Sequence, residues 1–213
     1  MSVVTQSRAD YLQGIGKLAI DNGFVPLALK GKIPIGAGWQ NFRNNEDKYR
    51  LARRVHHLVE KGVADNIGVL TGQASNIVVL DLDNKPVDYL PGSPNSIQIW
   101  SDFLQRNKGI LETLIVKTGS GGFHYYFRYQ PEKFNQLPNF TRVLGFPIDF
   151  KTNDAQVVFP GSRHPVTGQE YVIVSGYKPQ EGKFIIADMP DYLYWILNAN
   201  MNPNTEARIG VNI

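Results

Sequence analysis

Three aspartates at the ends of apolar runs are the residues in this sequence best placed to do chemistry. Two of them close the run Ile77-Val78-Val79-Leu80-Asp81-Leu82-Asp83. Side chains alternate along an extended strand, so Asp81 and Asp83 point the same way. Two carboxylates on one face repel each other unless a cation lies between them. Oxygen-only donors suit Mg²⁺ or Mn²⁺, which keep coordination positions open for phosphate oxygens. A pair of such ions can activate an attacking hydroxyl and stabilise a leaving pyrophosphate, which is the chemistry of nucleotidyl transfer. An Asp-x-Asp is also what a strand shows where it opens into a solvated turn, here Asp83-Asn84. The third aspartate lies in Pro147-Ile148-Asp149-Phe150-Lys151, where Asp149 and Lys151 share a face and Ile148 and Phe150 face a core. That pattern fits a third metal ligand beside a phosphate anchor, and equally a cross-strand ion pair.

Two further segments have the chemistry of anion contacts. In Thr118-Gly119-Ser120-Gly121-Gly122-Phe123-His124-Tyr125-Tyr126-Phe127 the glycines and Ser120 let backbone N–H groups approach an anion closely. The strand that follows puts His124, Tyr126 and Arg128 on one face, suited to nucleotide phosphates. A Gly-rich hairpin turn beside a surface histidine reads the same way. No helix follows the glycines, so neither a Walker loop nor a dinucleotide fingerprint applies. Val157-Val158-Phe159-Pro160-Gly161-Ser162-Arg163-His164-Pro165 delivers a turn bearing Ser162, Arg163 and His164, which fits a contact to base, sugar or phosphate of a nucleotide or an ordinary polar turn.

A basic stripe supplies charge for a template. Arg50, Arg54, His57 and Lys61 fall at i, i+4, i+7 and i+11, opposite the apolar positions Leu51, Val55, Leu58 and Val59. Lys30, Lys32 and Trp39 lie in the loop before them. Phosphate contacts with an aromatic platform are what single-strand binding uses. A solvated helix face has the same pattern.

The elements that must hold these residues can be read from periodicity and punctuation. Ser7 caps a helix to about Asn22, which Gly23 stops. Residues 24–29 form a strand with Pro26 at an edge or irregular start, 30–39 a loop and 46–61 a helix. Strands follow at 66–70 and 77–82. Ser93-Pro94 has the chemistry of a helix start, the helix ending near Gly109. Residues 114–117 and 123–129 form a hairpin, 146–151 and 156–159 another hairpin-like pair, 171–174 a strand and 191–200 a closing helix. The pattern is α+β with a largely antiparallel or mixed sheet.

The chain has 213 residues, 42% of them hydrophobic and 19% charged, with net charge +3. That length fits one large domain, or one domain with a small appendage, with a sizeable core. The mild basic excess permits a nucleic-acid partner without requiring one. With no cysteine there is no disulfide, thiolate zinc site or cysteine nucleophile. No apolar run is long enough to span a bilayer, and Met1 to Gln6 do not begin a signal peptide. A cytoplasmic location, or the host compartment of a replicating element, is expected.

The ordered segments together resemble the bifunctional primase–polymerase (Prim-Pol) domain of plasmid and viral replication proteins, in the archaeo-eukaryotic primase superfamily. The matching features are Asp81 and Asp83 after a hydrophobic strand, Gly122-Phe123-His124, and Ile148-Asp149. Gly38-Trp39 after the Lys30-to-Pro34 loop, Gly68, Gly72, Ser75 and Pro160-Gly161-Ser162 add to them. The likeness spans about residues 10 to 197. It implies an RRM-like catalytic sheet (about 76–200), a smaller N-terminal α/β part (about 1–75), a cleft between them, and a tail or linker at 201–213. By the same resemblance Asp81, Asp83 and Asp149 bind two Mg²⁺ or Mn²⁺ ions, and His124 contacts the incoming triphosphate. Ser120, Gly122, Lys151, Ser162 and His164 join it in nucleotide binding. Lys30, Lys32, Trp39, Arg50, Arg54 and Lys61 are the template-binding set. Single-stranded DNA and NTP or dNTP are the implied partners, with a C-terminal helicase region in many relatives. No zinc is expected.

Two other readings compete. A replication-initiator nuclease needs two histidines on one strand and a tyrosine nucleophile. His56-His57 lies on a helix, and His124 and His164 are isolated. A noncatalytic single-strand-binding module explains the aromatic and basic residues but leaves the three strand-end carboxylates without a purpose.

Overall fold

A computed structural model describes residues 7–42, 45–86, 93–107, 112–143 and 147–201. The helices are α1 (Arg8–Asp21), α2 (Asn45–Glu60), α3 (Ser96–Arg106), α4 (Pro131–Phe134) and α5 (Asp191–Met201). The strands are β1 (Pro26–Lys30), β2 (Ile33–Pro34), β3 (Asn66–Leu70), β4 (Ile77–Leu82), β5 (Ile115–Lys117) and β6 (Phe123–Arg128). They continue with β7 (Ile148–Lys151), β8 (Gln156–Val158), β9 (Val172–Ser175), β10 (Tyr177–Lys178) and β11 (Lys183–Phe184). A four-stranded sheet runs β2-β1-β3-β8, a five-stranded sheet β7-β4-β6-β5-β9, and β10 pairs with β11. The pairs of neighbouring strands are antiparallel, which makes the chain an α+β protein with antiparallel sheets.

Strand β4 shows why the second sheet holds together. Val78, Leu80 and Leu82 face a core with Trp100 of α3, Phe134 of α4, Phe150 of β7 and Leu193 of α5. Ile77 and Val79 face the other way, into a core shared with α1, α2 and the first sheet. With both faces covered, the strand reads as an almost unbroken apolar run. Each buried Val, Leu or Ile contributes roughly 1.5–3 kcal/mol over an exposed one. Asp81 continues the Ile77–Val79 face at its polar end. A one-residue slip would put the carboxylate into the Trp100 core, so burial fixes the register.

Capping fixes the helices. The Ser7 hydroxyl accepts from the Asp10 N–H at 3.1 Å, and the Asp10 carboxylate accepts from the Ser7 N–H at 3.3 Å, a capping box. Helix α3 starts later than Ser93-Pro94 suggests. Its cap is Asn95, whose side-chain oxygen accepts from the Ile97 N–H at 2.8 Å. Ser96 instead staples α3 to the end of β4: its hydroxyl donates to the Asp83 carbonyl, and its N–H to the Lys85 carbonyl at 3.0 Å. The end expected near Gly109, the strand start at Phe146 and the tail after 201 lie outside the described residues.

The hairpin of β5 and β6 forms as expected. The pairing expected between 146–151 and 156–159 does not. Strand β7 joins β4 in the second sheet, and β8 joins β3 in the first. The link is anchored to both sides. The buried Thr152 hydroxyl donates to the Leu137 carbonyl at 2.8 Å, and the Ala155 carbonyl accepts from the Thr71 N–H at 2.9 Å. Proximity in sequence suggests a hairpin, but the chain crosses between sheets, so the first sheet includes a late strand.

Candidate active site on the second sheet

Strand register builds an acidic row. Asp81 lies directly opposite Asp149 on β7 and His124 on β6, so three polar side chains stand side by side on one face. Asp83 is one step past β4, and its N–H donates to the Pro147 carbonyl at 2.9 Å, which keeps it aligned with the start of β7. Each carboxylate has a basic side chain of its own beside it. His124 Nε2 is 3.4 Å from Asp81 Oδ1, Lys85 Nζ is 2.7 Å from Asp83 Oδ2, and Lys151 Nζ is 2.9 Å from Asp149 Oδ2. Asp149 also accepts from the Arg142 N–H at 3.2 Å.

The electrostatics favour a charged Asp81. Burial works to raise its carboxyl, but His124, with Lys151 and Lys32 further off, outweighs burial and holds it below the ordinary range. His124 is itself buried, and its Nδ1 has no hydrogen-bond partner in the protein. Beside it lie two tyrosines. Burial, then the charge of Asp81 and then Tyr171, push the Tyr126 phenol far up, and its hydroxyl is also without a partner. Burial, then Asp81 and Asp83, push the Tyr171 phenol up as well. The Tyr171 ring lies 5.7 Å from His124 and 6.5 Å from His164, and so connects the two histidines.

The Gly-rich turn and the 162–164 turn meet at this row. Gly121 has φ +90°, and a Cβ at Gly122 would collide with the Leu82 carbonyl, so the hairpin tip lies against the end of β4 only with glycine there. Gly119 in the same way lets the tip approach His164, and the Thr167 hydroxyl donates to the Gly119 carbonyl at 2.7 Å. Ser120 is exposed at the tip, its hydroxyl 3.1 Å from that of Thr118. Ser162 is fully buried. Its hydroxyl accepts from the Ile67 N–H and donates to the Ile67 carbonyl, both at 2.9 Å, so it sews the turn to β3. His164 Nδ1 accepts from the N–H groups of Val166 and Thr167 at 3.3 and 3.2 Å. A neutral ring then carries its proton on Nε2. Burial, then the charge of Lys32, lower this imidazole.

The basic residues are placed less uniformly. The Arg50 guanidinium stacks over Phe42 at 5.2 Å, and Arg54 donates to the Ile35 carbonyl at 3.2 Å. Lys61 is exposed just past the end of α2. Trp39 is half-buried and packs against the first core. Lys30 pairs with Asp65 at 3.1 Å. Lys32, beside it, acts on Asp81 and His164.

The acidic row has the oxygen donors that Mg²⁺ or Mn²⁺ prefers, three carboxylates gathered where the end of β4 meets β7. As they stand, no three His, Asp or Glu side chains among the described residues are grouped to hold an ion. Lys85 and Lys151 hold two of the carboxylates, and an ion would take their place. Lys85, Tyr171 and Asn66 escaped the sequence reading. Lys85 had a signal, since Asp81, Asp83 and Lys85 alternate in step. Tyr171 and Asn66 reach the site only through pairing between distant segments.

The site on this α+β frame is a carboxylate row at a strand end, a histidine opposite it and a glycine turn beside it. The family model described as bifunctional DNA primase/polymerase, N-terminal (Prim-Pol), matches residues 18–191. The chain belongs to that family, one of primase and polymerase enzymes acting on DNA and nucleotides and typically using divalent metals. No curated protein matches the chain. Among the described residues no helix is long and apolar enough to cross a membrane.

Proposed function

We propose that the chain is a template-directed nucleotidyltransferase that makes or extends primers on single-stranded DNA, with its reacting centre at Asp81, Asp83 and Asp149. The observation that carries this reading is the row Asp149–Asp81–His124 across three neighbouring strands, with Asp83 one step beyond. The order β7-β4-β6-β5 supports an RRM-like catalytic sheet, because it places the first and third strands of the unit side by side at its centre. Asp81, Asp83 and Asp149 would hold two Mg²⁺ or Mn²⁺ ions. When bound, such ions activate a primer hydroxyl and stabilise leaving pyrophosphate.

The protein groups have their own tasks. His124 keeps Asp81 ionised and in place. Lys151, once released from Asp149, is free to meet a phosphate oxygen. Ser120 and Gly122 bring the hairpin tip to the nucleotide, and Ser162 holds the turn that carries His164. Arg50, Arg54 and Lys61, with Lys30 and Trp39, form the template side. Replication of a plasmid or virus, beside a helicase region, is the setting the family resemblance favours.

Primer extension on a single-stranded template, with labelled NTPs and dNTPs and added Mg²⁺ or Mn²⁺, tests the reading. Metal-dependent incorporation is the expected result. No incorporation with either metal and either nucleotide sinks it and favours a noncatalytic single-strand-binding module.

A further inference from the structure

Lys32 sits at the tip of the hairpin between β1 and β2, and that tip is fixed from several sides. The Gly31 N–H donates to Asp65 Oδ1 at 2.7 Å, and Gln156 Nε2 donates to the Lys32 carbonyl at 3.0 Å. Asn66, only 3% exposed, ties the tip to the turn before His164. Its Nδ2 donates to the Gly31 carbonyl at 2.9 Å and to the Arg163 carbonyl at 2.7 Å, and its Oδ1 accepts from the Arg163 N–H at 2.8 Å. A Cβ on Gly31 would lie against Pro165, next after His164. Ser162 secures the same turn to β3. Tip and turn are therefore one rigid piece, with backbone groups satisfied by buried side chains.

This piece presents an uncommitted cation. Lys30 is spent on Asp65, Lys85 on Asp83 and Lys151 on Asp149. Among the described residues the Lys32 ammonium has neither an ion pair nor a hydrogen bond. It is exposed, and its neighbour Gly31 packs against Pro165 beside His164, whose ring is joined through Tyr171 to His124 and so to Asp81 of the acidic row. Its charge is felt at both Asp81 on β4 and His164 in the turn after β8. His164, with Nδ1 occupied by backbone N–H groups, has a single donor left at Nε2. A point cation and a neutral donor on one rigid support match the oxygens of a polyphosphate.

We propose that Lys32 binds the phosphate tail of the incoming nucleotide, not the template, and that Asn66 is the positioning residue that holds it opposite the acidic row together with His164. This rests on the nucleotidyltransferase reading.

Binding of a non-hydrolysable nucleoside triphosphate in Mn²⁺ is measured by calorimetry for wild type and Lys32→Ala, with single-stranded DNA affinity against salt measured in parallel. Lys32→Ala lowers triphosphate affinity about tenfold, as a lost charge-assisted contact would. Binding of the matching monophosphate and the DNA salt slope stay unchanged. A DNA slope shallower by about 0.7 with intact triphosphate binding makes Lys32 a template contact and overturns the proposal. No change in either measurement also overturns it. A wild type that binds no triphosphate with any metal defeats the nucleotidyltransferase reading and this proposal with it, a result distinct from a silent variant. Asn66→Asp keeps the acceptor for Arg163 and loses both donated bonds. It weakens triphosphate binding in the wild-type background, and the double variant loses less than the two single losses combined. Full additivity of the two changes removes the positioning role, and if Asn66→Asp does not fold, Lys32→Ala at its exposed position decides alone.

Discussion

The acidic row on the second sheet and the basic face of α2 carry opposite charge in opposite ways. Asp81 and Asp149 are set by a strand register that burial enforces, and the three carboxylates each face a named partner at 2.7 to 3.4 Å. Arg50, Arg54 and Lys61 are exposed on or just beyond a helix. Arg50 lies on Phe42, and Arg54 reaches the Ile35 carbonyl. A charge held by register can be aimed at a single atom, which is what catalysis needs. An exposed charge works through its field, and what counts is how many there are. The row should therefore fail abruptly when single atoms change, and the helix face gradually.

The sharpest break of that contrast is Asp81→Ala with Asp83→Ala. Primer extension falls by roughly a thousandfold or more, because several kcal/mol of charge stabilisation disappear. Single-stranded DNA binding largely remains. Full extension by the double variant removes the row from the chemistry. The helix face is tested by Arg50→Ala, Arg54→Ala and Lys61→Ala together. Loss of three phosphate contacts makes the logarithmic salt slope of single-strand binding shallower by about two. An unchanged slope means these cations do not touch the template.

Legibility differs between the same two regions. The β4 boundaries, the hairpin tip and the three aspartates can be read from the sequence because their signals are local: an apolar run, a glycine cluster, period-two alternation. The side-by-side arrangement of Asp81, Asp149 and His124 is a pairing fact, and it follows only from a family resemblance. Strands β7 and β8 read as a hairpin in the sequence because the buried anchors that split them, Thr152 on Leu137 and Thr71 on Ala155, join positions far apart in the chain. Two-residue strands such as β2 and the four-residue α4 are too short for a period to register. The spacing of the α2 cations is legible, but spacing does not tell an engaged guanidinium from one waiting for a phosphate.

A smaller effect separates the counter-ions from the carboxylates they hold. Lys85→Met removes the partner 2.7 Å from Asp83 without touching the register. The pair is exposed, so the competition it offers a metal is weak. Mn²⁺ binding in the absence of nucleotide tightens by about two- to fivefold, as titration calorimetry can measure. Weaker Mn²⁺ binding would mean that Lys85 organises Asp83 for the ion instead of competing with it.

The smallest effect is in the pH dependence of stability, where the acidic row and the His164 turn respond in separate windows. Asp81 is lowered from 3.8, so its contribution is in place above that value and is lost as pH falls through its lower folded value. His164 is also lowered, from 6.5, but it is a base. Below 6.5 the unfolded chain takes up the proton more readily than the folded one, so stability falls as pH drops from there to the lower folded value. Burial is the main cause, and Lys32 adds to it. The variant His164→Gln cannot take up that proton. Urea unfolding of wild type and variant across this window should show curves that converge or cross on acidification, the wild type losing more stability for each step in pH. Because the substitution alters packing at all pH values, the difference in slope is what counts. Parallel slopes would mean that the His164 turn is open enough to titrate as the unfolded chain does. That turn would then hold His164 no more rigidly than α2 holds its arginines.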